Sequence, residues 1–467
     1  MPRRRLAVAV SAALLASLAC SVPLAADAVT LPSPECLARP APVPSDPAKL
    51  VSDKVLPGTS GRLHDLTLDS PAVGSDVQVY VLLPTRYSRD PKQRYHVLYL
   101  LHGSGGSQVD WTMHGAQQLI DQAAPKAHLP PTIVVMPDDG VEGYYTDWYG
   151  RDLLNPAETV APGWATFQIH ELIPYIDGHY PTIASRRGRA IAGLSMGGFG
   201  ATSLAARNPG MFAVVGSFSG ADDIDYNAPY QAVILEGTSP AFTSGAPTLC
   251  IWGDPLTHQI GWEATDPTYL AQDLAGTHLY LASGNGTPGP LDDLSTPAGI
   301  ASAEGGAAVE LDVGEMNGGF VSALNAARVA HTDFFYGPGT HSWPYWERDL
   351  TRFIPFMANG WRHPDPAPDS FSDRSAATHF TAWGWSFVAD RSVEEFTYLR
   401  NVTSHGLEVA GSGTLHITDP AGEQFKVRLG SHSSPQTSFP AGSALPAGWT
   451  WRKVGGIRSA CPPSDLG

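Results

Sequence analysis

Positive charge is scarce in this chain. Lysine and arginine number 29 against 45 aspartates and glutamates in 467 residues, a formal net charge of -16. A surface field of that sign repels a phosphate backbone, which argues against nucleic acid as a partner. Cysteine is sparser still: Cys20, Cys36, Cys250 and Cys461. No pair of them has metal-ligand spacing and the 16 histidines contain no His-Glu-x-x-His pattern, so neither a metal site nor a cofactor is expected. Long apolar runs are also missing. The one at residues 6–19 is too short for a stable membrane span. Arg3-Arg4-Arg5 precedes it, and Ala26-Asp27-Ala28 puts small residues at -3 and -1 for cleavage before Val29. Residues 1–28 therefore read as a signal peptide, and the protein as secreted or associated with the cell envelope. Its removal leaves three cysteines, which admits one disulfide with a free thiol, or none.

The remaining length is enough for two domains. Residues 29–60 are proline-rich and read as an extension draped over the surface. Alternation over 63–83 fits antiparallel strands, with Val77, Val79 and Val81 on one face. Buried strands are expected at 96–101, 132–136, 190–192, 212–218, 279–282 and 333–336, with helix over 166–177 and after the third of these. Strands alternating with helices predict an α/β domain over 61–360, a mostly parallel sheet covered on both faces. Three prolines between 361 and 370 mark a linker. Short alternating runs then fill 371–455, predicting a small all-β, sandwich-like domain, and 456–467 form a tail. Trp383 and Trp385, read as strand residues, share a face.

Chemistry concentrates at Gly193-Leu194-Ser195-Met196-Gly197. An apolar run precedes this Gly-x-Ser-x-Gly and an alanine-rich helix follows, the pattern of a nucleophile elbow in an α/β-hydrolase. A serine hydroxyl is a weak nucleophile and needs a base. His341 lies in a Gly-Pro-Gly-Thr-His-Ser-Trp loop directly after a strand, on the same sheet edge as the elbow. His331 precedes that strand, and His258 and His278 lack such a loop. Spacing admits Asp254, Asp292, Asp293, Glu310, Asp312 or Glu315 as the acid that orients the imidazole. An oxyanion hole needs two backbone N–H groups. Met196 follows the nucleophile, and Ser104 lies in His102-Gly103-Ser104-Gly105-Gly106 after the first buried strand. That glycine loop lacks the Gly-Lys-Ser/Thr ending of a nucleotide site.

Taken together, Gly193-Leu194-Ser195-Met196, Tyr145-Thr146-Asp147-Trp148-Tyr149, Gly284-Asn285-Gly286-Thr287-Pro288, Leu324-Asn325-Ala326-Ala327 and Gly339-Thr340-His341-Ser342-Trp343-Pro344-Tyr345-Trp346 resemble the esterase family that includes the mycobacterial mycolyltransferases, the antigen 85 proteins. The formylglutathione hydrolases are more distantly similar. The resemblance spans about 75–360. It implies a Ser195–Glu310–His341 triad, with Asp312 and Glu315 in reserve and the glutamate ahead of a helix carrying Asn317 and Phe320. It also implies oxyanion donors at Ser104 and Met196. The aspartate and arginine with which that family grips a trehalose headgroup are only half met, because residues 104–108 contain no arginine. Trp262 and Asp266-Pro267 keep a second family segment that has likewise lost its arginine. Asp110, Trp111, Asp147, Trp148, Trp262 and Trp343 are the expected substrate-binding residues.

The function this resemblance implies is acyl transfer of the mycolyltransferase type. A long-chain acyl group would pass from an acyl ester or glycolipid, through acyl-Ser195, to a sugar hydroxyl of trehalose or cell-wall glycan. A secreted carboxylesterase using the same triad is the first alternative. A non-catalytic wall-binding protein, working through the C-terminal β domain, is the second.

Overall fold

The computed structural model describes residues 36–38, 46–90, 92–152, 160–226, 249–439 and 444–455. The signal peptide and tail expected at the two ends lie outside the described residues. Strands are numbered in chain order: β1 (Cys36–Ala38), β2 (Lys49–Val55), β3 (Leu63–Ser70), β4 (Ser75–Leu82), β5 (His96–Leu101), β6 (Thr132–Pro137), β7 (Gly150–Asp152), β8 (Arg189–Leu194), β9 (Val214–Phe218), β10 (His278–Ser283) and β11 (Thr332–Phe335). Nine of them form one sheet in the order β11-β10-β9-β8-β5-β6-β4-β3-β2. The six from β11 to β6 run parallel, and β4, β3 and β2 add an antiparallel edge.

The apolar runs follow from this position. Along β5, Val97, Tyr99 and Leu101 enter the core on one face, while Leu98 and Leu100 enter the core on the other. A parallel strand covered on both faces has no polar side to present, so its sequence cannot alternate. Helix Trp343–Arg362 covers the second face through Trp346, Leu350, Phe353, Ile354, Met357 and Trp361. The helix expected over 166–177 is a continuous helical stretch from Trp164 to His179 with a π turn at Phe167–Leu172. The π turn carries the buried Glu171, whose carboxylate accepts from Ser70 Oγ (2.5 Å) and Ala72 N (3.0 Å) and so ties the helix to the end of β3. β1 pairs with β7, and a Cys36–Cys250 disulfide (Cα–Cα 5.4 Å) fastens the pair. That closes the question the cysteine count left open. Among the described residues, no helix is long and apolar enough to cross a membrane.

A sandwich of two antiparallel four-stranded sheets follows. One contains β12 (Phe371–Ser375), β15 (Thr397–Thr403), β16 (Gly406–Ala410) and β19 (Arg452–Gly455). The other contains β13 (His379–Ala382), β14 (Trp385–Asp390), β17 (Thr414–Thr418) and β18 (Gln424–Arg428). Phe387, Val409, Leu415 and Ile417 fill its centre. Trp385 belongs to that core, but Trp383 does not sit on a strand. It occupies the β13–β14 turn at φ +52° before Gly384 at φ +82°, the two left-handed residues a tight hairpin turn requires. The two tryptophans therefore do not share a face. The Trp383 ring points back into the α/β unit, with the Arg186 guanidinium 5.1 Å from its centroid, and the Trp383 backbone N–H donates to Pro209 O (2.8 Å). A Cβ on Gly210 or Gly276 would come within 3.0 or 3.2 Å of the indole, so both glycines shape the slot it fills.

Beside this plug lies a cavity of about 660 Å³ whose walls carry Asp223, Asp225, Glu263, Asp266 and Asp273, with Arg374 of β12 facing them. Burial pushes these carboxyls up, to about 7 for Asp223, about 6 for Asp225 and about 9 for Glu263, and their mutual repulsion adds to it. A carboxyl raised on folding binds its proton more tightly in the folded state. Its contribution is complete at low pH and disappears as pH climbs through the raised value. The melting temperature should therefore fall between pH 5 and pH 8.5. Asp223→Asn, which has no charge to repel Asp225, should flatten that fall. Parallel melting curves of the two proteins across this range would refute the assignment.

Candidate active site

Ser195 separates β8 from helix Met196–Arg207 and sits at φ +53°, ψ -122°, a conformation costing about 1–3 kcal/mol for a non-glycine residue. Its neighbours hold it there. Ser195 N donates to Phe218 O (2.9 Å), and Gly198 N donates back to Ser195 O (2.9 Å). A Cβ at Gly197 would lie 2.5 Å from His102 O and 2.6 Å from Leu101 O, so only glycine lets the turn pass the end of β5. The sharp turn leaves the Ser195 side chain at the carboxyl edge of the sheet.

His341 and Glu310 arrive from a loop and a helix at that same edge. His341 Nε2 lies 2.8 Å from Ser195 Oγ, and His341 Nδ1 lies 2.8 Å from Glu310 Oε2. His341 follows β11, as its sequence context predicts. Glu310 does not precede a helix. It sits within one, Pro297–Ala327, on the buried face that also holds Val313, Asn317, Phe320 and Leu324. The same helix fixes the histidine backbone, because His341 N donates to Gly306 O (3.0 Å), one turn before Glu310.

The second glutamate oxygen is fully engaged. Glu310 Oε1 accepts from Ser219 Oγ (2.9 Å), Ser283 Oγ (3.0 Å) and Gly284 N (2.5 Å). The loops after β9 and β10 thus lock one end of the carboxylate and aim the other at the imidazole. Ser219 is itself held at φ +49° and accepts from Trp346 Nε1 (3.3 Å), whose ring meets His341 edge-on at 4.9 Å. Asp292 braces the histidine loop from both sides, accepting from Thr340 Oγ1 (2.5 Å) and Tyr345 Oη (2.8 Å). Sequence reading missed Ser219, Ser283, Trp346 and this role of Asp292. The only signal for the serines was a small polar residue directly after each buried strand.

The other acid candidates lie elsewhere in the network. Asp254 takes Leu256 N, Asp293 takes Ser295 and Thr296, and Glu315 is exposed. Met196 is the first residue of the elbow helix, where N–H groups have no intrahelical acceptor. The loop bearing Ser104 passes Ser195 at Gly103, whose Cβ would lie 3.3 Å from Ser195 Cβ. It is anchored by Ser104 Oγ to Glu142 (2.6 Å) and Gly105 N to Val141 O (2.9 Å).

The expected substrate residues divide. Trp111 is 1 % exposed, with Nε1 on Leu101 O (2.8 Å). Trp262 is wholly buried against Trp252. Both are core residues, and neither lines an open pocket. Asp147 binds Thr166 through both carboxylate oxygens (2.9 and 2.8 Å), and Trp148 Nε1 donates to Gly143 O (3.2 Å). Those two face the cleft between the α/β unit and the sandwich. Asp110 is half-buried beside Gly106, and half-buried Trp343 stacks on His114 at 3.7 Å.

A mostly parallel sheet, an elbow serine on its carboxyl edge and helices on both faces define an α/β-hydrolase. A family model described as putative esterase matches residues 70–357, and the chain belongs to that family. An esterase of Mycobacterium tuberculosis strain H37Rv is 34% identical over 231 residues, 49% of this chain and 47% of its own. The diacylglycerol acyltransferase/mycolyltransferase Ag85B of Mycobacterium leprae is 31% identical over 229 residues, 48% of this chain and 65% of its own. The chain thus spans about half the length of the first and just under two thirds of the second. The crystal structure of Mycobacterium tuberculosis MPT51 (FbpC1) superposes with a TM-score of 0.49 at 24% identity, covering 67% of this chain and all of that one.

Ser219 offers a direct test of this geometry. Ser219→Ala removes one of three donors to Glu310 Oε1, a loss of about 1 kcal/mol. Labelling of Ser195 by a fluorophosphonate should slow roughly five- to tenfold, whereas Ser195→Ala should abolish it. Unchanged labelling kinetics in Ser219→Ala would show that the Ser219 bond does not order the histidine.

Proposed function

We propose that the protein is a serine esterase working through an acyl-Ser195 intermediate. The observation that carries this reading is the continuous Ser195–His341–Glu310 hydrogen-bond chain. His341 takes the Ser195 proton as Oγ attacks an ester carbonyl. The C–O bond to the alcohol breaks, His341 protonates that alcohol, and an acyl-serine remains. Glu310 keeps Nδ1 protonated and Nε2 free to accept. The backbone N–H groups of Met196 and Ser104 hold the oxyanion. Water activated by His341 then releases the acid. The segment at 104–108, without an arginine to grip a sugar headgroup, favours water as acceptor. Neither a metal nor a cofactor enters any of these steps. The signal-like residues at the N-terminus support an activity outside the cytoplasm.

Transfer to a sugar hydroxyl is the second reading, favoured by the similarity to Ag85B. It uses the same acyl-serine and differs only in the nucleophile that resolves it. Intact-protein mass spectrometry after reaction with a long-chain acyl ester separates the two. Hydrolysis predicts an adduct that decays in water at a rate trehalose does not change, and transfer predicts decay accelerated by trehalose with an acylated sugar as product. Glu310→Gln should slow adduct formation by about 10²–10⁴-fold, since the imidazole loses its orienting charge. An adduct that still forms in Ser195→Ala would overturn both readings.

A further inference from the structure

A second cleft lies between the α/β unit and the sandwich, with a volume of about 580 Å³, within the roughly 300–1,000 Å³ typical of small-molecule sites. Arg207 in its wall ends the helix that Met196 begins. Eleven steps of about 1.5 Å put it about 16 Å from the elbow, so this is not the Ser195 site. Arg207 Nη1 is shut off from solvent and meets no hydrogen-bond partner among the described residues. Arg207 itself is half-buried; a guanidinium cannot discard its charge, and a shielded nitrogen of it without an acceptor is unfavourable until an anion meets it. The negative charge of Asp147 acts on Arg207, but both Asp147 oxygens accept from Thr166. Glu394, on the cleft's exposed rim, is paired with His258 (2.8 Å). Burial lowers the affinity of His170 for its proton, so it faces the cleft as a neutral donor–acceptor.

The rest of the lining mixes apolar side chains with groups that can match hydroxyls. Asn208 uses Nδ2 on Leu204 O and keeps Oδ1 to accept. Thr378 lines the sandwich side with its Oγ1 3.2 Å from His379 Nδ1, and Trp148 and Tyr149 supply aromatic rings. Rings with groups that both donate and accept suit a sugar, and a forked cation suits a carboxylate. We infer that this cleft binds a carboxylate-bearing glycan segment, with the carboxylate on Arg207 and the sugar hydroxyls on Asn208, His170 and Thr378. The sandwich is then half of a binding site, holding a polymer at a fixed distance from Ser195.

Calorimetry on the full chain with digalacturonate, maltose and inorganic phosphate as probes tests this. Saturable binding of digalacturonate, weakened at least tenfold in Arg207→Gln and absent with maltose, is the expected result. Ala377→Trp, which fills the cleft from its exposed rim without touching Arg207, should abolish binding as well. That variant decides the question should Arg207→Gln fail to fold. Equal binding of maltose, equal binding of phosphate, no binding of digalacturonate, or binding indifferent to both variants would overturn the assignment.

Discussion

A carboxylate with no exposure to water must have its oxygens satisfied by the protein, and Glu310 imposes that demand on the whole carboxyl edge of the sheet. Three donors meet on one of its oxygens, from the ends of β9 and β10, and the imidazole after β11 meets the other. Three successive crossover connections therefore converge on one side chain. Each of them that shifts costs Glu310 a hydrogen-bond partner. The strained serine at the end of β8 meets an imidazole that those loops hold in place.

The supporting groups form a second layer with the same logic. Trp346 reaches Ser219, while Tyr345 and Thr340 reach Asp292. Helix Trp343–Arg362 thus begins by bracing the histidine loop and continues as the cover of one sheet face. Packing and chemistry share residues here, so a substitution in the core of this helix reaches the site through its first turn. The long glycine-rich helix does likewise, with Glu310 and Gly306 on one side of a single turn.

Much of this was legible in the chain. Strands buried on both faces are uninterrupted apolar runs, and β5, β6, β8, β9 and β10 stand close to where those runs fall. The elbow and His341 carry their own local signatures, a turn that demands glycine and a glycine loop after a strand. Glu310 was different. Six glycines in Pro297–Ala327 hide a helix that tertiary packing nevertheless forms, so its acid could be found by resemblance but not placed. Trp111 and Trp262 were misplaced because an aromatic near a site-like segment looks the same in sequence whether it faces solvent or core. Trp383 was misplaced because period-two alternation continues across a two-residue turn. The donors to Glu310 were invisible, since each is contributed by a residue tens of positions away in sequence.

The Trp383 plug bears on how such a protein can be remodelled. Its slot in the α/β unit is cut by two glycines and lined by the guanidinium of Arg186. A chain ending before β12 would present that slot empty, as a sticky recess on an otherwise finished surface. A different appended sandwich would need its own aromatic at the same hairpin tip. The two halves are therefore mortise and tenon, and a change to one piece calls for a matching change in the other.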